Sequence, residues 1–185
     1  LTPTITICGL DELDHHAAAG VTHVLSILDP QWPAPTAFER YGAHDRLLLR
    51  FHDVIEPRLP SGEDAPDRQH VTDILRFGRS ATQSAGRPHI LVHCHAGISR
   101  STAAAMLMLA QADPERDPDS IMEEIVMMRP NAWPNLRIVE FGDELLGRRG
   151  TLIATARRRY REVSQARPEI ARFMRDGGRS REVDG

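Results

Sequence analysis

Residues 21–28, VTHVLSIL, are apolar at nearly every second position and beyond, the pattern of a strand buried on both faces in a parallel sheet. Parallel strands require crossover segments between them, and the rest of the chain alternates accordingly. Residues 4–8 (TITIC) alternate polar and apolar side chains and stop at Gly9, reading as a short strand, and residues 10–19 suit a helix closed by Gly20. Residues 47–51 form a third apolar run, and residues 90–92, opened by Arg87-Pro88, a fourth. Helical spacing runs through residues 70–83, 118–128 and 134–146, while residues 103–112 are nearly all apolar and too long for a strand. The expected fold is α/β: a central, mostly parallel sheet of four to five strands flanked by helices on both faces, with its ligand beyond the carboxyl ends of the strands.

No apolar run approaches the roughly 18–20 residues needed to cross a bilayer as a helix. Two cysteines, Cys8 and Cys94, cannot make a disulfide framework, and no basic stretch and apolar block follow Leu1 and Thr2. The expected compartment is therefore the reducing cytoplasm, with both thiols free. All 23 cationic residues are arginine, and from Gly147 onward eleven arginines stand against five acids. That asymmetry suggests a main unit over residues 1–150 and a basic helical extension over residues 151–185. Leu152, Ala156, Tyr160, Val163, Ile170 and Phe173 recur there at helical spacing, flanked by Arg157, Arg158, Arg159 and Arg161. The simplest account is one helix over residues 152–174 packed on the main unit or on another copy; the alternative is weak docking on an acidic partner or a membrane surface. Aromatic interleaving is absent, so no nucleic-acid partner is expected.

The chemistry concentrates in residues 93–101, HCHAGISRS, where a strand ends at Cys94 and Arg100 opens a helix. Between them the main-chain N–H groups of His95, Ala96, Gly97, Ile98, Ser99 and Arg100 can converge on a tetrahedral anion, aided by the partial positive charge of the helix N-terminus. Gly97 permits the tight curvature, and Arg100 can close the cradle with a guanidinium fork. The same N–H dipoles favour a thiolate at Cys94, in line with a bound phosphorus. A zinc site at His93-Cys94-His95 lacks a second Cys/His cluster at ligand spacing, so no metal ligand is assigned. The bland alternative is a small buried cysteine at a strand end.

This loop resembles the signature of the cysteine-based protein tyrosine phosphatases, and the short α/β layout is similar to their dual-specificity branch. The segment RPNAWPN, residues 129–135, resembles that family's Arg…Pro-Asn element opening a late helix. The resemblance implies a phosphatase-like fold over residues 1–150 and a phosphomonoester hydrolase without metal or cofactor. Cys94 would take the phosphoryl group and water would release it; Ser101 would hydrogen-bond the sulfur, His93 would tune Cys94, and Asn135 would brace the loop. The implied substrates are phosphorylated proteins or small aryl phosphates. The alternatives are a phosphoinositide or other small-phosphate phosphatase, or an inactive phosphate-binding module. The leaving oxygen needs a proton, and Asp53, directly after the third strand, is the expected acid on the premise that this strand ends beside the one leading to Cys94. The stretch through Pro60, Gly62 and Pro66 looks expanded against the family, which keeps Glu56, Glu63 and Asp64 as alternatives.

Overall fold

The computed structural model describes residues 2–57, 65–84 and 86–185. Four strands, β1 (Thr4–Cys8), β2 (His23–Leu28), β3 (Asp45–Arg50) and β4 (His89–His93), form one sheet in the order β1-β4-β2-β3, with every neighbouring pair parallel. Period-two alternation sorts their side chains. Ile5, Ile7, Leu25, Ile27, Ile90 and Val92 join the main core. Cys8, Val24 and Leu91 face the other side, where Leu13, Phe38 and Tyr41 cover them.

The main core is built with α1 (Arg68–Gln83), α2 (Arg100–Ala112), α3 (Pro118–Met128), α4 (Leu136–Leu145) and α5 (Thr151–Ala166). Residues 100–110 of α2 are all buried, because this helix packs against β1, β4, α1, α3 and α4 at once. The second face of the sheet is closed by two 3₁₀ segments, Leu10–His16 and Thr36–Arg40, where an α-helix was expected over residues 10–19. Leu13 is the one buried residue of the first segment. One anchoring side chain offers too little apolar surface to propagate a longer helix.

The expected continuous helix over residues 152–174 is broken at Arg167-Pro168 into α5 and α6 (Pro168–Asp176), followed by a short α7 (Ser180–Val183). Proline disfavours the helical conformation in the residue before it, and Arg167 sits at φ −140°, ψ 78°. Leu152, Ala156, Tyr160 and Val163 lie within the same core as the sheet. Tyr160 stacks on Trp133 with ring centroids 4.7 Å apart, and its hydroxyl donates to the Pro134 carbonyl. The stripe thus faces inward through Val163, whereas Phe173 at its far end is 73% exposed. Several tail arginines are also engaged within the molecule: Arg158 with Asp119, Arg175 with Asp184, Arg181 with Glu56 and Glu140, and Arg159 with the Ala132 and Pro130 carbonyls. Among the described residues no helix is long and apolar enough to cross a membrane.

Candidate active site

β4 delivers Cys94 to the carboxyl end of the sheet, and α2 starts six residues later at Arg100. Between them the loop turns its carbonyls outward, and each has a donor. The His95 carbonyl accepts from the Leu10 N–H at 2.9 Å; Ala96 and Gly97 accept from the Arg129 guanidinium at 2.9 and 3.1 Å; Ile98 accepts from the Trp133 N–H at 2.9 Å; Ser99 accepts from the Asn135 N–H at 3.2 Å. Arg129 is itself clamped by both carboxylate oxygens of Glu12, each at 2.8 Å. Among the described residues none of the amides of residues 95–100 donates to a protein acceptor. Six N–H dipoles are thereby left for a ligand, which is the arrangement of an anion-binding nest.

Gly97 makes the turn possible. It has φ +69°, and a Cβ there would lie 2.6 Å from the Cys8 carbonyl carbon and 2.8 Å from the Gly9 nitrogen. Both neighbours are main chain and cannot rotate away. Gly97→Ala is expected to lower stability by at least about 1–2 kcal/mol, the cost of the left-handed conformation alone. It should also abolish binding of inorganic phosphate, measured by calorimetry beside a thermal melt.

Cys94 is buried, with Sγ 3.2 Å from the Ser101 hydroxyl oxygen. Arg100 is buried as well; its Nη1 donates to Asp29 Oδ1 at 2.7 Å and to the Phe51 carbonyl at 2.6 Å. Its Nε is buried without a partner among the described residues. A buried guanidinium N–H left unpaired is costly, so that edge is the one available to an oxyanion. His93 lies below the loop with Nε2 2.7 Å from Ser26 Oγ, and its Nδ1 is 3.3 Å from the Cys94 carbonyl oxygen. Burial pushes His93 down to about 4, so it is a neutral ring near pH 7. Its contacts reach the Cys94 main chain. His95 accepts from the Asp29 N–H at 3.2 Å and meets the Trp32 ring edge-on, with centroids 4.6 Å apart.

Asp53 reaches the site by a route different from the expected one. β3 does not lie beside β4, because β2 is between them. The chain instead turns after Arg50 so that Asp53 Oδ1 accepts from Ser99 Oγ at 2.7 Å, Asn135 Nδ2 at 2.8 Å and Arg179 Nη1 at 3.2 Å. Burial alone would raise this carboxyl, but Arg179 and Arg100, with the bonds from Asn135 and Ser99, outweigh it and leave Asp53 below the ordinary carboxylate range. Asn135 therefore divides its work. Its main chain holds the loop, while its side chain holds Asp53 and caps α4 through Oδ1. Glu56 is paired with Arg181 on the surface, and Glu63 and Asp64 lie outside the described residues.

A cavity of about 340 Å³ opens above Cys94. Asp53 and residues 94–100 other than Gly97 form its floor; Phe173, Met174, Gly177 and Arg179 of the C-terminal helices form its wall. Sequence reasoning missed that wall, and it also missed Glu12 and Asp29. Arg129 stood in a motif already singled out; nothing local links residue 179 to residue 53.

The parallel four-stranded sheet flanked by helices matches a phosphatase fold, with a buried cysteine and arginine at its anion-binding loop. The family model described as protein-tyrosine phosphatase matches residues 61–145. Mouse dual specificity protein phosphatase 12 is 35% identical over 103 residues, which are 55% of this chain and 26% of that protein. The chain thus spans about a quarter of the length of that curated relative. Among solved structures, human DUSP28 is similar with a TM-score of 0.57 at 18% identity, over 79% of this chain and 96% of that one. PTPMT1 in complex with PI(5)P is similar with a TM-score of 0.55 at 17% identity, over 79% and 94%. The chain is similar to protein-tyrosine phosphatases over residues 61–145, and to dual-specificity phosphatases in sequence and in fold.

Proposed function

We propose that the protein hydrolyses phosphomonoesters of the phosphotyrosine type through a phosphocysteine intermediate. The observation that carries this reading is the set of six loop amides and the Arg100 Nε gathered around Cys94, none with a partner among the described residues. Phosphate oxygens sit on the amides and on Arg100, which hold the charge of the transition state. The Cys94 thiolate attacks phosphorus; the S–P bond forms, the ester P–O bond breaks, and Asp53 gives its proton to the departing oxygen. Water then attacks phosphorus, Asp53 takes the water proton, and the sulfur leaves while accepting a hydrogen bond from Ser101. The products are the alcohol or phenol and inorganic phosphate.

The apolar wall of Phe173 and Met174 over a loop without lysine favours a flat aryl group over a multiply phosphorylated ring. Turnover of phosphotyrosine peptide, phosphoserine peptide and phosphoinositide in chelator tests the substrate class. The aryl ester should have the highest kcat/KM, and a phosphoinositide that outran it would move the assignment to the small-phosphate class.

Asp53→Asn should slow an ester with a basic leaving group by about 10²- to 10⁴-fold and spare one with an acidic leaving group. The pH profile has a definite sign. Asp53 is held low in the free protein, so its protonated form, and with it kcat/KM, declines from the acid side as pH rises. A bound phosphate dianion places like charge beside the carboxyl and raises it, so the alkaline limb of kcat should lie at higher pH than that of kcat/KM. Coincident limbs, or a full effect of Asp53→Asn on the activated ester, would remove Asp53 as the acid.

A further inference from the structure

Arg179 lies in the turn between α6 and α7 and is 8% exposed, 126 residues from the aspartate it touches. Its Nη1 meets Asp53 Oδ1 at 3.2 Å, and its Nη2 donates to Ser99 Oγ at 3.0 Å. Nε and Nη2 also bond the two carboxylate oxygens of Glu182 at 2.6 and 2.7 Å. Glu182 is 1% exposed and accepts from Trp133 Nε1 at 2.6 Å and the Leu136 N–H at 3.0 Å. Taking an arginine and a glutamate out of water is costly, and an apolar pair of the same volume is often as stable. Asp53 already receives Ser99 and Asn135 on the same oxygen, so satisfying that oxygen does not call for a third donor.

We propose that Arg179 is a positioning residue for the reaction at Cys94: delivered by the C-terminal segment, it locks Asp53 and Ser99 to each other at the rim of the phosphate loop. The proposal deepens the reading of the site given above and rests on Asp53 serving as the acid. The geometry has a chemical consequence. Asp53 Oδ1 takes all three donors and Oδ2 takes none among the described residues, so the transferable proton is carried on Oδ2. Ser99 Oγ donates to Asp53 while accepting from Arg179, which couples the acid to the loop that holds the phosphate. Among the described residues the charged and titratable groups around Asp53 are Arg179 from the α6–α7 turn, Arg100 from α2, His95 from the loop and Tyr160 from α5. Asp29 and Glu182 are engaged with the two arginines.

The test compares the full-length protein with Arg179→Met, Arg179→Lys and the double variant Arg179→Met, Glu182→Gln. The double variant removes the buried charge pair together, so it covers the case in which Arg179→Met alone strands Glu182 and fails to fold. Phosphate release is followed across pH from phenyl phosphate, a basic leaving group, and from dinitrophenyl phosphate, an acidic one. Loss of the cation should move the alkaline limb of kcat/KM for phenyl phosphate to higher pH in Arg179→Met and the double variant, since Asp53 then keeps its proton longer. The plateau should fall by about tenfold as the acid loses its lock, with the dinitrophenyl ester held within about twofold. Arg179→Lys should hold the limb and still lose rate, because an ammonium keeps the charge without the fork that spans Asp53 and Ser99. An unmoved limb, or equal slowing of both esters, overturns the proposal alone. Absence of turnover in the wild-type protein, or an Asp53→Asn variant without leaving-group dependence, overturns the reading of the site and this proposal with it.

Discussion

Cys94→Ser should lower turnover of an aryl phosphate by at least about a thousandfold while inorganic phosphate and vanadate still bind. The substitution exchanges Sγ for Oγ at the floor of the cradle and leaves the amides of residues 95–100, the Arg129 clamp and Arg100 in place. A serine hydroxyl is scarcely ionised near neutrality, and among the described residues no general base contacts position 94: Sγ faces the Ser101 hydroxyl, and the His93 contacts are to Ser26 and the Cys94 carbonyl. The second cysteine cannot substitute. Cys8 is buried on the other face of the sheet, and burial pushes its thiol up to about 12. Initial rates with calorimetric phosphate binding check the prediction. Residual turnover above about a hundredth of wild type would count against covalent catalysis, and loss of binding equal to the loss of rate would mean that the loop had collapsed.

The second large effect concerns the chain beyond Gly150, whose first helix lies within the core that carries the sheet. Removing residues 151–185 should leave a chain that does not unfold cooperatively and has no activity. Leu152, Ala156, Tyr160 and Val163 leave the common core, and Trp133 loses both its stacking partner and the Glu182 acceptor of its indole N–H. Tyr160→Ala alone should cost about 3–5 kcal/mol, set against a total stability of about 5–15 kcal/mol for a domain of this size. Tyr160→Phe, which removes one hydrogen bond to the Pro134 carbonyl, should cost about 1 kcal/mol. Urea unfolding followed by tryptophan fluorescence reads all three, since Trp133 is buried against Tyr160. A truncated protein with a cooperative transition near that of the full chain would show that the tail's contacts add little.

Much of the core was legible because it is written locally. Residues 4–8, 21–28 and 90–92 carry strand patterns whose alternation sends Ile7, Ile27 and Val92 to one face, and the apolar run of residues 103–112 announces a helix buried on every side. The phosphate loop was legible for the same reason. Cys94, Gly97, Arg100 and Ser101 are within eight residues, and the geometry that unites them is one strand end, one turn and one helix start. Strand order was less legible. Nothing in the run of residues 47–51 says that β2 separates it from β4, so the expected path of Asp53 was wrong although the residue arrives at the loop.

The sequence by itself determined the class of fold, the anion cradle and the sulfur at its base, because each depends on residues close in the chain and on the fixed geometry of strands, turns and helix ends. Tertiary structure alone decided what surrounds that cradle. Glu12 reaches Arg129 across 117 positions to orient the loop carbonyls, Asp29 takes Arg100 across 71, and Arg179 meets Asp53 across 126. The buried guanidinium groups of Arg100 and Arg179 persist only when paired, and the partner is chosen by where the core brings two elements together, which leaves no periodicity or spacing in the sequence to read. The inward turn of the basic tail has the same origin. Its apolar stripe reads equally well as a free amphipathic face, and only the presence of Trp133 and Pro134 opposite Tyr160 turns that face into core.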